Sequence, residues 1–285
     1  MIKVLGYGDN VFDDYFQQKV MYPGGNALNF SVYTHELGAN SAYLGNIAYD
    51  ELGAYIISVC KQMNIDISKC NLVSNHSTQI CRILLNGNDR IFCEDKKVNN
   101  QVPFIQYEIS LKEYMSSFDL IHMGCYCKVE KDIPMFQFKD TLISYDFSNE
   151  TENLEKTFYE NICPYLDFAS FSSDYDEETT KRIMESMFQC GCKNVLATRS
   201  TKGQIFYNGS YYYGSCKKVN AIDTCGAGDS FISAFLISIL ESGFKKGDIL
   251  KEAQIVQALE KARDFSAENC MRSGSFGMGK KYDYQ

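Results

Sequence analysis

Residues 219–240 read Val-Asn-Ala-Ile-Asp-Thr-Cys-Gly-Ala-Gly-Asp-Ser-Phe-Ile-Ser-Ala-Phe-Leu-Ile-Ser-Ile-Leu, a polar glycine-rich turn running directly into a long apolar stretch. Gly226 and Gly228 lack Cβ, so the backbone can bend and approach a ligand, and the first N–H groups of the helix that follows have no intrahelical acceptors. Gly226, Ala227 and Gly228 therefore read as an anion cradle. Asp229 lies inside this positive helix end, where a second negative group would repel a phosphate. The carboxylate is better read as a base that takes the proton of a substrate hydroxyl while the amides steady a transferring phosphoryl group. The plainer alternative is a helix-capping Asp229 beside turn glycines. Asp223 and Thr224 add oxygens on the same turn, where a cation accompanying nucleotide phosphates would sit. No Gly-x-x-x-x-Gly-Lys-Ser/Thr occurs, which excludes a Walker-type site.

The 285 residues suffice for one large α/β domain, or a domain with a small appendage, with a sizeable core. Acidic residues outnumber basic ones 36 to 28 and no Lys/Arg-rich run appears, so nucleic acid is not an expected partner. The opening Met-Ile-Lys-Val-Leu-Gly-Tyr-Gly-Asp has none of the regions of a signal peptide and no stretch approaches a membrane span, so a cytoplasmic location is expected. Twelve cysteines are scattered through apparent strands and helices. They read as reduced thiols, because Cys125-Tyr-Cys127 and Cys190-Gly-Cys192 have one residue between sulfurs where structural zinc usually wants two to four. His35, His76 and His122 show no ligand spacing.

Residues 2–7 read as a buried strand ending at Gly8-Asp-Asn-Val-Phe-Asp13. Ligands of open α/β sheets gather beyond the carboxyl ends of strands, which places Asp9 and Asp13 to orient a polyol. Tyr22-Pro-Gly-Gly-Asn-Ala-Leu-Asn29 is a turn opening a helix that ends at Gly38. Gly24 and Gly25 permit backbone contact with a ligand, and Asn26 and Asn29 carry both donor and acceptor atoms for reading hydroxyls. An N-cap role for Asn26 is the structural alternative. Residues 41–53 give a strand, a turn and a helix start with Asp50 as cap. Strand-like alternation around Asn86-Gly-Asn-Asp89 predicts a hairpin within 78–105, carrying Arg82 and Arg90. Apolar strands are expected at 119–123, 141–146, 166–171 and 194–198 with helical segments between them, as a parallel sheet requires. Another hairpin follows at Gln204–Tyr207 and Ser210–Tyr213. Asp248 is expected to cap a last helix reaching about residue 270, and the 280–285 tail carries no signal.

Asp223-Thr-Cys-Gly-Ala-Gly-Asp-Ser-Phe231, together with Gly24-Gly-Asn26, resembles the paired signatures of the PfkB, or ribokinase-like, carbohydrate kinases, and the resemblance runs from Gly8 to Gly277. It implies a single three-layer α/β/α domain over 1–285 with a small β-sheet lid from about 14–22 and 78–105. It further implies Asp229 as catalytic base and 226–228 as anion hole. Asp9, Asp13, Gly24, Gly25, Asn26, Asn29 and Arg90 would meet the sugar, and Thr198, Lys202, Gly203 and Gly274 the nucleotide. ATP and Mg2+ are implied, as are a monovalent cation such as K+ at Asp223 and, by analogy, a homodimer. The chain departs from the family at Ala48, where Gly is usual. It also departs at Asp146-Phe-Ser148, where many members have Asp-x-Asn-x-Arg, and at Ser172, Ser173 and Asp176 in place of Asn-x-x-Glu.

Gly8-Asp-Asn-x-x-Asp13, Gly24-Gly-Asn-Ala-x-Asn29 with Val32-Tyr33, Asp89-Arg-x-Phe92 and Tyr145-Asp-Phe-Ser148 resemble the fructoselysine 6-kinase branch in particular. The expected reaction is phosphorylation of the 6-hydroxyl of a fructosamine such as fructoselysine, with its cationic amine near Asp9. Fructose, ribose and nucleosides are the alternative acceptors, and a catalytically silent sugar-binding protein is the alternative from another class.

Overall fold

The computed structural model describes residues 1–86, 89–93 and 101–282; the side chains at 85, 86, 89, 90 and 92 lie outside the described ones. In chain order the elements begin with β1 (Lys3–Tyr7), β2 (Val11–Tyr15), β3 (Val20–Gly24), α1 (Asn26–Glu36), β4 (Asn40–Leu44), β5 (Asn46–Ala48), α2 (Glu51–Gln62), β6 (Asn71–Val73), β7 (Ile80–Asn86) and β8 (Asp89–Phe92). They continue with α3 (Lys112–Met115), β9 (Leu120–Gly124), β10 (Leu142–Asp146), α4 (Lys156–Tyr159), β11 (Phe168–Ser172), α5 (Glu177–Gln189) and β12 (Val195–Thr198). The last are β13 (Gln204–Tyr207), β14 (Tyr211–Gly214), α6 (Ala227–Glu241), α7 (Glu252–Asn269) and β15 (Lys280–Lys281).

Eight strands form the main sheet in the order β14-β13-β12-β11-β10-β9-β1-β4. Pairing is parallel from β4 through β12, and β13 and β14 add an antiparallel edge. Each parallel strand sends alternate side chains to opposite faces, so the sheet has two cores. Val4, Leu120, Leu142, Phe168 and Leu196 meet α6 and α7 on one face. Leu5, Ile121, Ile143, Ala169 and Val195 join the core of α2 and α5 on the other. Helices on both faces of a parallel sheet are the arrangement that leaves neither face wet.

Asp50 caps α2 as expected, accepting from the Gly53 amide at 2.7 Å. Gly38 and Gly243, at φ 88° and 85°, follow the ends of α1 and α6. The Asp248 expectation fails: α7 starts four residues later, and the Asp248 carboxylate closes a local turn on the Lys245 amide at 2.8 Å. The expected helical crossovers are also only partly present. Between β9 and β10 the chain makes 3-10 turns at Cys125–Cys127 and Ile133–Met135, and between β10 and β11 it makes the one-turn α4 with further 3-10 turns. Buried Val129, Ile133, Phe136 and Phe138 cover the sheet there without helical periodicity.

The second sheet is the lid, in the order β15-β3-β2-β7-β8. Its strands occupy 11–15, 20–24, 80–86 and 89–92, shifted from the expected 14–22 and shorter than the expected 78–105. The hairpin residues Gly87 and Asn88 lie outside the described residues. The tail, which carried no sequence signal, supplies β15: Lys280 pairs with Met21 and Lys281 with Val20. Two residues are too few for a periodic pattern, and their partner strand is about 260 residues away in sequence.

Candidate active site

The carboxyl ends of β1, β9 and β10 and the N-termini of α1 and α6 converge at one place. Asp229, in the first turn of α6, accepts from Asn26 Nδ2 at 3.1 Å through Oδ1 and from Asn29 Nδ2 at 2.7 Å through Oδ2. The two asparagines are the first and fourth residues of α1, so helical spacing presents them on one face. Asn26 is therefore not the N-cap. Gly25 takes that position at φ 110°, and Gly124 gives Asn26 room, since a Cβ on Gly124 would stand 3.3 Å from it.

The glycines of the α6 turn differ in what they do. Gly226 is left-handed at φ 70°, and a Cβ there would meet Tyr33 Oη at 2.1 Å. Gly226 is thus required by backbone geometry and packing. At Gly228 a Cβ would meet nothing within 4 Å. This open space lies at the mouth of the helix, where first-turn amides point outward. The turn is braced from behind: Asn269 Nδ2 donates to Cys225 O at 3.3 Å and Tyr33 Oη at 3.2 Å, and Ser266 Oγ donates to Ala227 O at 2.9 Å. Tyr33 Oη donates to Ser275 O. Asn269 carried no sequence signal and Tyr33 entered only through the resemblance, because their roles exist only once the end of α7 meets Tyr33 of α1 and the α6 turn.

Asp9 is buried and caps α1 from a distant segment. Its Oδ2 accepts from the Asn26 amide at 3.2 Å, and its Oδ1 from the Ala27 amide and Cys127 Sγ, each at 3.1 Å. Burial pushes this carboxyl up, while the two amides and the thiol pull it back. Much of Asp9 is therefore committed to the helix, which reduces what it can offer a ligand. Asp13 lies beside Gly24 and accepts from Cys225 Sγ at 3.4 Å. Two acceptor atoms, Asn29 Oδ1 and Asn10 Oδ1, are buried without a partner among the described residues. Asn10 also lines a small cleft with Asp9, Asn46, Gln79 and Phe104. An unpaired buried acceptor costs about 1–3 kcal/mol unless a ligand donor satisfies it.

Asp146, which the sequence marked as a departure from one motif and as part of the Tyr145–Ser148 resemblance but gave no role, enters the same site. It accepts from Asn26 Nδ2 at 3.4 Å, Ser170 Oγ at 3.1 Å and the Ser148 amide at 3.3 Å. Burial, and then the charge of Asp229, push its carboxyl up to about 7. Its position at the carboxyl end of β10 was the available signal.

Asp223 is buried and joins elements through three accepted hydrogen bonds. Oδ1 accepts from the Cys225 amide at 2.9 Å, and Oδ2 from Tyr15 Oη at 2.6 Å and the Gly274 amide at 2.9 Å. It ties lid strand β2 to the α6 turn. Gly274 thus sits with Asp223. Thr198, Lys202 and Gly203 sit after β12, where Thr198 Oγ1 is 3.0 Å from Ser172 Oγ. Among the described residues no hydrogen bond joins Gly274 to that loop. Arg90 lies on β8 opposite Leu85, and its side chain is outside the described ones.

Among the described residues no group of three or more His, Cys, Asp or Glu side chains is arranged to hold a metal ion. Cys125 and Cys127 are core side chains, and burial holds the His122 imidazole at about 3, neutral against Phe30. Metal analysis of the purified protein is expected to find no stoichiometric zinc; one tightly held zinc per chain would overturn this reading of the Cys-x-Cys pairs. No helix among the described residues is long and apolar enough to cross a membrane.

The chain resembles known proteins in both sequence and fold. The chain is 32% identical over 287 residues to the fructosamine kinase FrlD of Bacillus subtilis (strain 168), covering 99% of this chain and 95% of that protein. It is 28% identical over 232 residues to the fructoselysine 6-kinase of Escherichia coli (strain K12), covering 80% and 86%. The crystal structure of a fructokinase with bound ATP from Xylella fastidiosa shares the fold at a TM-score of 0.81, with 16% identity over 96% of this chain and 94% of that one. The sheet, its two helical layers and the lid are accordingly the ribokinase-like fold. The model of the pfkB family carbohydrate kinases matches residues 4–143 and 164–277. With the helix-end carboxylate, its two asparagines and the open space at Gly228, that match places the chain in the pfkB family of carbohydrate kinases, phosphotransferases with an alcohol group as acceptor.

Proposed function

We propose that the chain transfers the γ-phosphoryl group of ATP to the 6-hydroxyl of a fructosamine such as fructoselysine. The observation that carries the chemistry is Asp229 held by Asn26 and Asn29 at the mouth of α6. Both asparagines donate to it, so its lone pairs are oriented and its ionised form is favoured, as a base requires. The acceptor class rests on the two named relatives, a fructosamine kinase and a fructoselysine 6-kinase.

In this reading Asp229 takes the proton of the 6-hydroxyl, and the amides at 226–228 receive the charge that builds on the phosphoryl oxygens. Asn29 Oδ1 and Asn10 Oδ1 accept from sugar hydroxyls or the amine, and Asp13, Gly24 and Gly25 line the sugar side. Asp9 faces the amine with the charge that α1 leaves it. Thr198, Lys202, Gly203 and Gly274 would border the nucleotide, and Arg90 the substrate from the lid. Closure of the lid over 11–24, 80–86 and 89–92 excludes water that would otherwise hydrolyse ATP. The whole of 1–285 works as one kinase domain, in the cytoplasm, and association through the lid would make a homodimer.

Mg2+ asks for only one or two protein carboxylates when it travels with phosphates, which is compatible with the sparse carboxylates here; it would neutralise the phosphate oxygens. A K+ ion at Asp223 would find about one lone-pair position still open on that carboxylate, so backbone carbonyls would supply most of its shell.

The test is kcat/KM for fructoselysine beside fructose, ribose and a nucleoside, with the phosphate position assigned by NMR. Fructoselysine is expected to lead, with phosphate on the 6-oxygen. A preference for a neutral sugar by roughly tenfold, about 1.4 kcal/mol in transition-state binding, would sink the fructosamine assignment and leave the kinase reading standing.

A further inference from the structure

We infer that Asp146 is a positioning residue for the catalytic base: it fixes the amide of Asn26, and its negative charge strengthens Asp229 as a proton acceptor. The inference rests on Asp229 being the base.

Asn26 Nδ2 stands 3.1 Å from Asp229 Oδ1 and 3.4 Å from Asp146 Oδ2. An amide nitrogen offers two hydrogens and no lone pair, so two flanking carboxylates can be served by Nδ2 and not by Oδ1. With Asp146 removed, one side of that constraint is gone and the amide is freer to turn its oxygen toward Asp229. Asn29 Nδ2 holds the other oxygen of Asp229 at 2.7 Å, so Asp146 acts on the half of the base that Asn29 does not reach.

Around Asp146 stand Asp229 from α6, Asn26 from α1, Ser170 from β11, Ser148 from the turn after β10 and Cys125 from the turn after β9. Tyr33 on α1 feels the charge of Asp229 as well. None of the groups that shift Asp146 is cationic. A buried carboxylate and a half-buried one that share one amide do not ionise independently, and the pair releases its protons in two steps. The charge of Asp229 acts on Asp146 as Asp146 titrates. Asp146, pushed up to about 7 by burial and by that charge, ionises second. Below the second step a neutral Asp146 leaves Asp229 to work alone. Above it, the new negative charge raises the proton affinity of Asp229, and the hydroxyl proton is taken more readily.

The experiment measures kcat and KM separately from pH 5.5 to 8.5 for wild type and Asp146→Asn, with thermal unfolding as the control for folding. Wild-type kcat is expected to rise roughly fivefold through about pH 7. In Asp146→Asn that rise should vanish, with KM for both substrates within about twofold of wild type. Asp146→Glu, which restores a carboxylate, should bring a rise back. A residue that only supported the fold would lower kcat equally at all pH values and leave the profile's shape unchanged, and that result overturns the inference. So does a wild-type profile with no rise near neutrality. A measurement independent of the Asp146 variants follows the carboxyl carbons by NMR in wild type and Asp229→Asn. Asp146 should titrate at lower pH once the neighbouring charge is gone, and an unchanged titration counts against the coupling. Full activity in Asp229→Asn would remove the base reading itself, whereas a pH-independent defect in Asp146→Asn removes only the role given to Asp146.

Discussion

Asp229→Asn is expected to keep its nucleotide and lose kcat by about 10²–10⁴-fold, the range that a positioned general base contributes. The substitution preserves shape and removes the lone pairs that take the proton. Its local cost is readable from the structure. Both neighbours present N–H groups, Asn26 at 3.1 Å and Asn29 at 2.7 Å, so an asparagine amide at 229 satisfies one and opposes the other. An opposed donor costs about 1–3 kcal/mol. Relief of the repulsion with Asp146 works the other way, so the fold should survive with a modest change in thermal midpoint. The measurement is kcat at saturating ATP and sugar, with ATP binding followed separately by calorimetry. Turnover near the wild-type rate would falsify the base assignment.

Gly228→Val is expected to leave the protein folded and to lower kcat/KM by about 10²–10³-fold or more, the cost of losing donors to a developing oxyanion. The open space at Gly228 makes the substitution informative, because a Cβ there meets nothing within 4 Å beyond its own turn of helix. Valine would project into the space where the phosphoryl group is proposed to sit. Gly226→Val would not serve, since its left-handed φ of 70° and the 2.1 Å approach to Tyr33 Oη would damage the turn itself. The check is steady-state kinetics paired with thermal unfolding. A folded Gly228→Val enzyme with full activity would remove the cradle from the mechanism.

The two asparagines show how far a local motif can be read. Gly24-Gly-Asn-Ala-Leu-Asn29 announces a helix start with polar groups on one side, because helical periodicity is a property of the segment alone. That those amides would point at Asp229 could not be read from spacing, since about 200 residues separate the partners. Asp9 illustrates the reverse. Its place after a strand marked it for a substrate, and folding gave it the amides of α1 to cap. Asp248 looked like a cap by type and position and instead closed a turn, because several short side-chain hydrogen bonds of similar energy compete for the same residue.

By itself the sequence determined the alternation of apolar strands, the turn-to-helix stretch at 219–240 and the separate strand-rich texture of the lid, and hence the α/β class and the helix end at which phosphate is proposed to bind. Each of these depends on neighbours within one turn of helix or one strand, where backbone geometry dictates the pattern. Only the tertiary structure decided that Asp146 and Asp229 share one amide, that Tyr15 and Gly274 meet on Asp223, and that the tail closes the lid sheet as β15. These pairings join residues far apart in the chain. Their energies arise from burial and from charges brought within a few ångströms, quantities that do not exist until the chain has folded.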